Sequence, residues 1–356
     1  MKVSMNIKKI LKIIVSRNVS DVFMVAGRPI SYKTGSQIEQ LNDEVIVPAK
    51  ALEYLSEIYD LAQNRDMRHL LDKGDDDFSF ALPDVSRFRV NAYKQRGSLA
   101  AVIRVVPFYL PDPDALHIPE QILDLSKKRY GLLLFTGPAG SGKTTTLACL
   151  IDRINNTMPG HIVTLENPIE YLHRHKMSLV SQREISIDTE DYQSALRAAL
   201  RQSPSVILIG ELRDSHTISI ALTAAETGQL VISTMHTVGA SNSIDRLVDS
   251  FPANQQGQIR MQLSMVLQTV VSQQLLTGVD GSLIPAFQIM HCNNAIRNMI
   301  REGRTHQINA VINSSASEGM VDMDGSLLKL FSDGVISAED AIYHSLAPDI
   351  MAKHVR

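Results

Sequence analysis

The sequence predicts an α/β protein in two parts: a small α+β domain, then a larger domain with a mainly parallel sheet and a helical C-terminal part. Three observations carry this. A chain of 356 residues is long for one compact core and comfortable for two domains. The run VVPFYLPDPDALHIPEQI holds Pro107, Pro111, Pro113 and Pro119, which remove backbone donors and fix φ, so it reads as an extended linker. Beyond it, short apolar runs alternate with helical stretches, the rhythm of a parallel sheet covered by helices. The expected divisions are 1–108, a linker at 109–119, and 120–356.

Taken in order, the start places Ile7, Ile10, Leu11 and Ile14 at helical spacing, interrupted by Lys8, Lys9 and Lys12. No small-residue cleavage site follows, so it reads as an amphipathic helix near 5–16, packed or laid on a membrane surface, and not as a secretory signal. Ala51 to Lys73 keeps a helical rhythm, and FSFALPDVSRFRVNAYKQRGSLAAVIRVV reads as strands of a meander. After the linker, YGLLLFTG, HIVTLEN, SVILIGE and QLVISTMH read as strands. TTTLACLIDRINN, DYQSALRAALRQ and TISIALTAAE read as the helices between them, and the remainder from about Asn254 reads as mainly helical.

Composition narrows the function. With 35 basic against 38 acidic side chains the net charge is −3, which gives no global attraction to nucleic acid, so none is expected as a partner. No run reaches the ~18–20 apolar residues that span a bilayer. Cys149 and Cys292 cannot build a metal cage or a disulfide framework, and Cys149 reads as a buried thiol. Asp75, Asp76 and Asp77 read as a solvated turn, His173 and His175 as a strand edge rather than a metal pair, and the methionines as core filling.

The strongest signal is Gly137-Pro138-Ala139-Gly140-Ser141-Gly142-Lys143-Thr144-Thr145, which fits the P-loop pattern, follows an apolar strand and opens a helix. Glycines let the backbone curl so that its N–H groups face phosphate oxygens, and the helix N-terminus adds positive potential. Lys143 is placed to reach the β- and γ-phosphates and Thr144 to bind Mg²⁺. Glu211, at the end of VILIGE, stands where a metal-organising acid belongs and would hold Mg²⁺ through water. Glu166, in VTLENPIEY, is a second strand-end carboxylate able to direct an attacking water. No guanine-reading NKxD segment is present, which favours ATP.

Together these segments resemble the secretion and type IV pilus ATPase family. TLENPIEY is similar to its acidic box, GELRD to its Walker B, TGQLVISTMHT to its histidine box, and Arg89 and Arg104 to its N-domain arginine pair. AIRNMIREGRTHQI resembles the signature of the retraction-motor (PilT-type) branch, with Met299 for Leu and Arg304 for Lys. Assembly and secretion motors usually carry an extra N-terminal domain and a four-cysteine zinc module, which two cysteines cannot supply.

The resemblance implies a PAS-like N-terminal domain, a RecA-like ATPase domain and a homohexamer that pulls on an inner-membrane pilus platform protein without gripping pilin directly. It also implies a place at the inner face of the cytoplasmic membrane. Arg89 and Arg104 would neutralise charge on the γ-phosphate, and His236 would sense that phosphate or link neighbouring strands. Arg197 and Arg201, one helical turn apart, resemble arginines near a subunit interface. Ala295, Ile296, Arg297, Asn298, Met299 and Ile300 would serve retraction rather than hydrolysis. The sequence departs from the family at Asn167, where Asp is usual, and at Gln229, where His is usual. Rival readings are an assembly, competence or secretion motor of the same family, a slow relative beside a main motor, a nucleic-acid translocase, and a regulatory ATP-binding module.

Overall fold

The computed structural model describes residues 6–355 except 18, 35, 36, 84, 107 and 108. Pro107 and the expected boundary at 108 therefore lie outside the described residues. The chain forms two compact units, one of residues 1–109 with 170–172, the other of 110–169 with 173–356.

In the first unit, β1 (Asp21–Val25), β2 (Pro29–Thr34), β3 (Gln37–Val45), β4 (Asp75–Leu82), β5 (Ser86–Gln95) and β6 (Ser98–Val106) form an antiparallel sheet in the order β3-β2-β1-β6-β5-β4. One face alternates Phe88, Val90 and Ala92 inward, as a half-buried sheet requires. Helix α1 (Ile7–Val15) starts at Asn6, whose side chain accepts from the Lys9 N–H at 2.9 Å. Its Ile7, Ile10, Leu11 and Ile14 join Tyr54, Leu55 and Phe88 in one core, so the amphipathic start is a packed helix.

Ala51 to Lys73 is not one helix. It divides into α2 (Pro48–Leu61) and α3 (Arg68–Lys73). Between them Gln63 and Asn64 take φ of 61° and 57°, a left-handed turn that the helical spacing does not announce. Nor are Asp75 to Asp77 a solvated turn, because they open β4 and Asp76 is only 4% exposed. Arg65 grips the Asp76 carboxylate with Nε at 3.0 Å and Nη2 at 2.9 Å, and the Tyr59 hydroxyl donates at 2.9 Å. Burial pushes that carboxyl up, but Arg65 and Tyr59 outweigh it and hold its pKa below the usual range.

In the second unit, β7 (Gly131–Thr136), β8 (Gly160–Glu166), β9 (Ser178–Glu184), β10 (Val206–Ile209), β11 (Leu230–Met235), β12 (Leu267–Thr277) and β13 (Leu283–His291) make a sheet ordered β13-β12-β7-β11-β10-β8-β9. Every pairing is parallel except β12 with β13. Helices α4 (Glu120–Leu123), α5 (Lys143–Thr157), α6 (Tyr192–Ala199), α7 (Ser215–Glu226), α8 (Ala240–Asp249) and α9 (Ala253–Val266) accompany it. After β13 come α10 (Asn294–Glu302), α11 (Ile308–Ser314), α12 (Met323–Ser332), α13 (Ala338–His344) and α14 (Pro348–His354). The region from Asn254 is thus helical only at its two ends. Val266 runs into Leu267 with no Gly or Pro between, so a long central strand follows a helix without punctuation.

The proline-rich segment is not extended throughout. Residues 113–117 form a turn, and Ile118 is buried with Leu147 and Leu150 of α5. Cys149 is buried, which pushes its thiol up to about 11. Met24, Met235 and Met290 are core residues, whereas Met177, Met261 and Met265 are exposed. Among the described residues, no helix is long and apolar enough to cross a membrane.

Candidate functional site

Parallel strands bring their C-terminal ends to one rim, and the chemistry sits there. The P-loop follows β7, Glu166 ends β8, Glu211 stands two residues past β10 rather than at its end, and His236 comes directly after β11. Gly137, Gly140 and Gly142 take φ of 140°, 78° and 83°, conformations that L side chains rarely adopt. Packing adds a second constraint at Gly137, where a Cβ would collide with the Gln273 carbonyl of β12. Gln273 also sets its Nε2 3.0 Å from a Cβ at Gly142 and accepts from the Thr146 hydroxyl at 2.9 Å.

Lys143 is 7% exposed, and its ammonium donates to the carbonyls of Gly137 and Pro138, both at 2.8 Å, and to Ser141 Oγ at 3.3 Å. Burial lowers its pKa, and the Glu211 charge works against that fall. A cation is therefore held at the centre of a glycine loop, with a carboxylate in electrostatic reach. Thr144 lies half-buried in the first turn of α5. A curled loop, an internal cation, a first-turn hydroxyl and a nearby carboxylate are the donor set that a magnesium-bound triphosphate needs. Beside Gly142 a cavity of about 170 Å³ is lined by Leu116, Ile118, Thr145, Leu275 and Pro285, an apolar slot suited to a flat base.

Two carboxylates stand on the same rim, one ending β8 and one just past the neighbouring β10. Glu166 is buried, and its Oε1 accepts from the Thr164 hydroxyl at 2.6 Å and from Gln182 Nε2 at 3.2 Å. Gln182 in turn accepts the His173 N–H at 2.7 Å. Glu211 is half-buried and paired with the Arg213 guanidinium, Nε at 2.6 Å, with His236 Nε2 3.4 Å away. His236 is exposed, not a core histidine.

Gln182 on β9, Gln273 on β12 and Tyr192 at the start of α6, which carry no local sequence signal, complete the rim with Arg213 of the GELRD segment after β10. His173 and His175 stand in the loop before β9, not on a strand. His173 is half-buried with its Nδ1 shielded, burial drops its pKa to about 4, and His175 Nδ1 accepts the Val180 N–H at 3.0 Å.

Arg89 and Arg104 belong to the first unit. They are direct cross-strand partners on β5 and β6, so their side chains share one face. Arg104 is neutralised by Asp21 at 3.2 Å, itself the next cross-strand partner on β1. Among the described residues Arg89 has no ion-pair partner. Arg197 and Arg201 do not share a helix face, because α6 ends at Ala199. Arg201 instead donates to the Arg197 carbonyl at 3.0 Å, a basic group at a helix C-terminus.

Ala295 to Ile300 lie in α10, with Ile296 and Ile300 in the core and Met299 packed against it. Arg297 reaches the Ser264 and Met265 carbonyls at the end of α9, and Gly303 stops α10 in a left-handed turn. Asn167 is exposed beside Glu166. Gln229 lies before the first residue of β11, and Leu230 pairs with Gly131 at the start of β7. Gln229 is therefore at the opposite rim, roughly 20 Å from His236 along a strand.

The model of the family described as type II/IV secretion system protein matches residues 2–326. The type IV pilus retraction ATPase PilT of Pseudomonas aeruginosa is 40% identical over 345 residues, which is 97% of this chain and 99% of that protein. A twitching motility protein of Neisseria gonorrhoeae is 47% identical over 266 residues, 74% of this chain and 71% of that protein. Among solved structures, the pilus retraction motor PilT with bound ADP matches with a TM-score of 0.89 at 40% identity, over 98% of this chain and 99% of that one.

Proposed function

This chain belongs to the type II/IV secretion system protein family, and we propose that it is an ATP-hydrolysing motor subunit that powers type IV pilus retraction. One observation carries the enzymatic half: a buried Lys143 at the centre of a glycine loop, with Glu166 ending β8 and Glu211 just past the adjoining β10. The likeness to retraction motors along nearly the whole chain supports the other half.

Lys143 exchanges the loop carbonyls for β- and γ-phosphate oxygens, while the backbone N–H groups of Gly140 to Thr145 wrap the remaining charge. Thr144 and, through water, Glu211 would hold Mg²⁺, which would draw charge off the phosphate oxygens. Glu166 takes a proton from the attacking water or fixes its direction. Arg89 and Arg104 neutralise the oxygens of the transferred phosphoryl group, Arg89 the more readily because Arg104 is already paired with Asp21. His236, beside Glu211, senses the state of the γ-phosphate. Release of phosphate relaxes the angle between the two domains, and six subunits in a ring convert these movements into traction on a platform protein at the inner membrane face. Arg197 and Arg201 serve the subunit contacts, and Ala295 to Ile300 serve retraction.

Purified protein should hydrolyse Mg-ATP, and Lys143→Ala should nearly abolish turnover by leaving phosphate charge uncompensated. Deleting the gene should leave cells with many pili that do not retract. Cells without pili would instead identify an assembly motor.

A further inference from the structure

Tyr192 opens α6 directly after the helix cap Asp191, whose carboxylate accepts the Ser194 N–H at 2.7 Å. This cap fixes where the first side chain of the helix points. The Tyr192 ring packs against the core of the second unit, and its hydroxyl makes no hydrogen bond among the described residues. That hydroxyl lies against Gly210, the residue between β10 and Glu211. A Cβ on Gly210 would stand 2.6 Å from Tyr192 Oη, 3.3 Å from the Leu165 carbonyl and 3.6 Å from Glu166 Cα. The absent side chain at position 210 thus leaves a slot, filled by a phenol oxygen, beside the backbone that carries both carboxylates. Burial raises the phenol pKa well above its ordinary value, and the Glu211 and Glu166 charges raise it further, against a smaller opposing effect of Arg213. The group stays protonated throughout the working range and is an O–H donor.

We propose that Tyr192 is a further residue of the hydrolytic site, its hydroxyl donating to the water that Glu166 directs. This rests on the ATPase reading above. Glu166 fixes the water from the β8 end and Tyr192 from the α6 start. Two such contacts restrict its direction more than one, which is where a hydrolase gains rate without gaining affinity. Gly210 is required because any larger residue displaces the phenol.

The test uses the full-length protein and its Tyr192→Phe, Gly210→Ala and doubly substituted forms, with Mg-ATP turnover, binding of a non-hydrolysable ATP analogue and thermal unfolding measured on each. Tyr192→Phe keeps the ring in the core, so the melting midpoint, KM and analogue affinity should hold while kcat falls about tenfold. Gly210→Ala should lower kcat at least as far, and adding Tyr192→Phe to it should lower kcat no further, because both act on one hydroxyl. A parental kcat in Tyr192→Phe overturns the proposal. So does a loss of kcat that comes with a lower midpoint and weaker analogue binding, which marks a packing role. Additive losses in the double form also overturn it. If the parent protein itself turns over no Mg-ATP, the ATPase reading fails first and the role of the tyrosine goes with it.

Discussion

Glu166 ends β8, Glu211 stands two residues past the neighbouring β10, and different contacts hold them. Glu166 is buried, and the Thr164 hydroxyl and the Gln182 amide both donate to it. Glu211 is half-buried and bound by Arg213 and His236. A neutral donor orients a carboxylate without cancelling its charge. A carboxylate held by a cation has that charge already answered, and must trade partners to meet a metal. The first arrangement suits a group that directs a water, the second a group whose occupancy changes during a cycle. Asp76 in the first unit is a useful third case, since it is buried like Glu166 but gripped by a cation like Glu211.

Removing the charge of Glu166 breaks the comparison at its strongest point. Glu166→Gln should cut kcat by about 10³-fold with nucleotide affinity kept, measured by steady-state hydrolysis and analogue binding. A parental rate would give the role of base to another group. Thr164→Val tests the neutral clamp by removing one donor at constant shape. Its kcat should fall about 10- to 100-fold, the worth of a hydrogen bond to a charged group, with the melting midpoint little changed.

Asp76→Asn asks what a cation-gripped buried acid contributes where no chemistry occurs. The first unit should lose about 1.5–3 kcal/mol at neutral pH by denaturant titration. Because the folded pKa of Asp76 is depressed, its contribution is full above the unfolded value near ~3.9 and lost as pH falls through the folded value. The difference between parent and Asp76→Asn should therefore vanish in strong acid, and a difference that persists there would remove the ion pair as its source. Arg213→Ala is the smallest perturbation. Arg213 is 75% exposed, so its bond to Glu211 is screened and turnover should change by less than about threefold. A loss as large as that of Thr164→Val would erase the distinction between the two clamps.

How much of this was legible depends on how local each feature is. The P-loop reads directly, because its glycines, Lys143 and Thr144 all fall within residues 137–144 and the flanking strand and helix are periodic. Glu166 and Glu211 read as strand-end acids for the same reason. The alternation of apolar strands with helices gave the parallel sheet. β12 did not read as a strand, since LQTVVSQQLLT continues from α9 without a break and its pairing with β7 is settled only in the folded sheet. Gln182, Gln273 and Tyr192 carry no local pattern, and chain topology alone brings them to the rim. Asp76 finds Arg65 only because α2 ends in a left-handed turn that periodicity does not mark.

The contact of Gln273 with the P-loop has a consequence for how relatives of this chain diverge. One residue supplies a backbone carbonyl that excludes a side chain at 137, an amide that crowds 142, and an acceptor for the hydroxyl at 146. The carbonyl excludes a side chain at 137 whatever residue stands at 273, whereas 142 and 146 depend on the glutamine side chain itself. A change of Gln273 to a shorter residue should appear in family alignments together with replacement of Thr146, so that no buried hydroxyl is stranded. Thr146 and Gln273 are thus tied to each other's identity across 127 residues of chain.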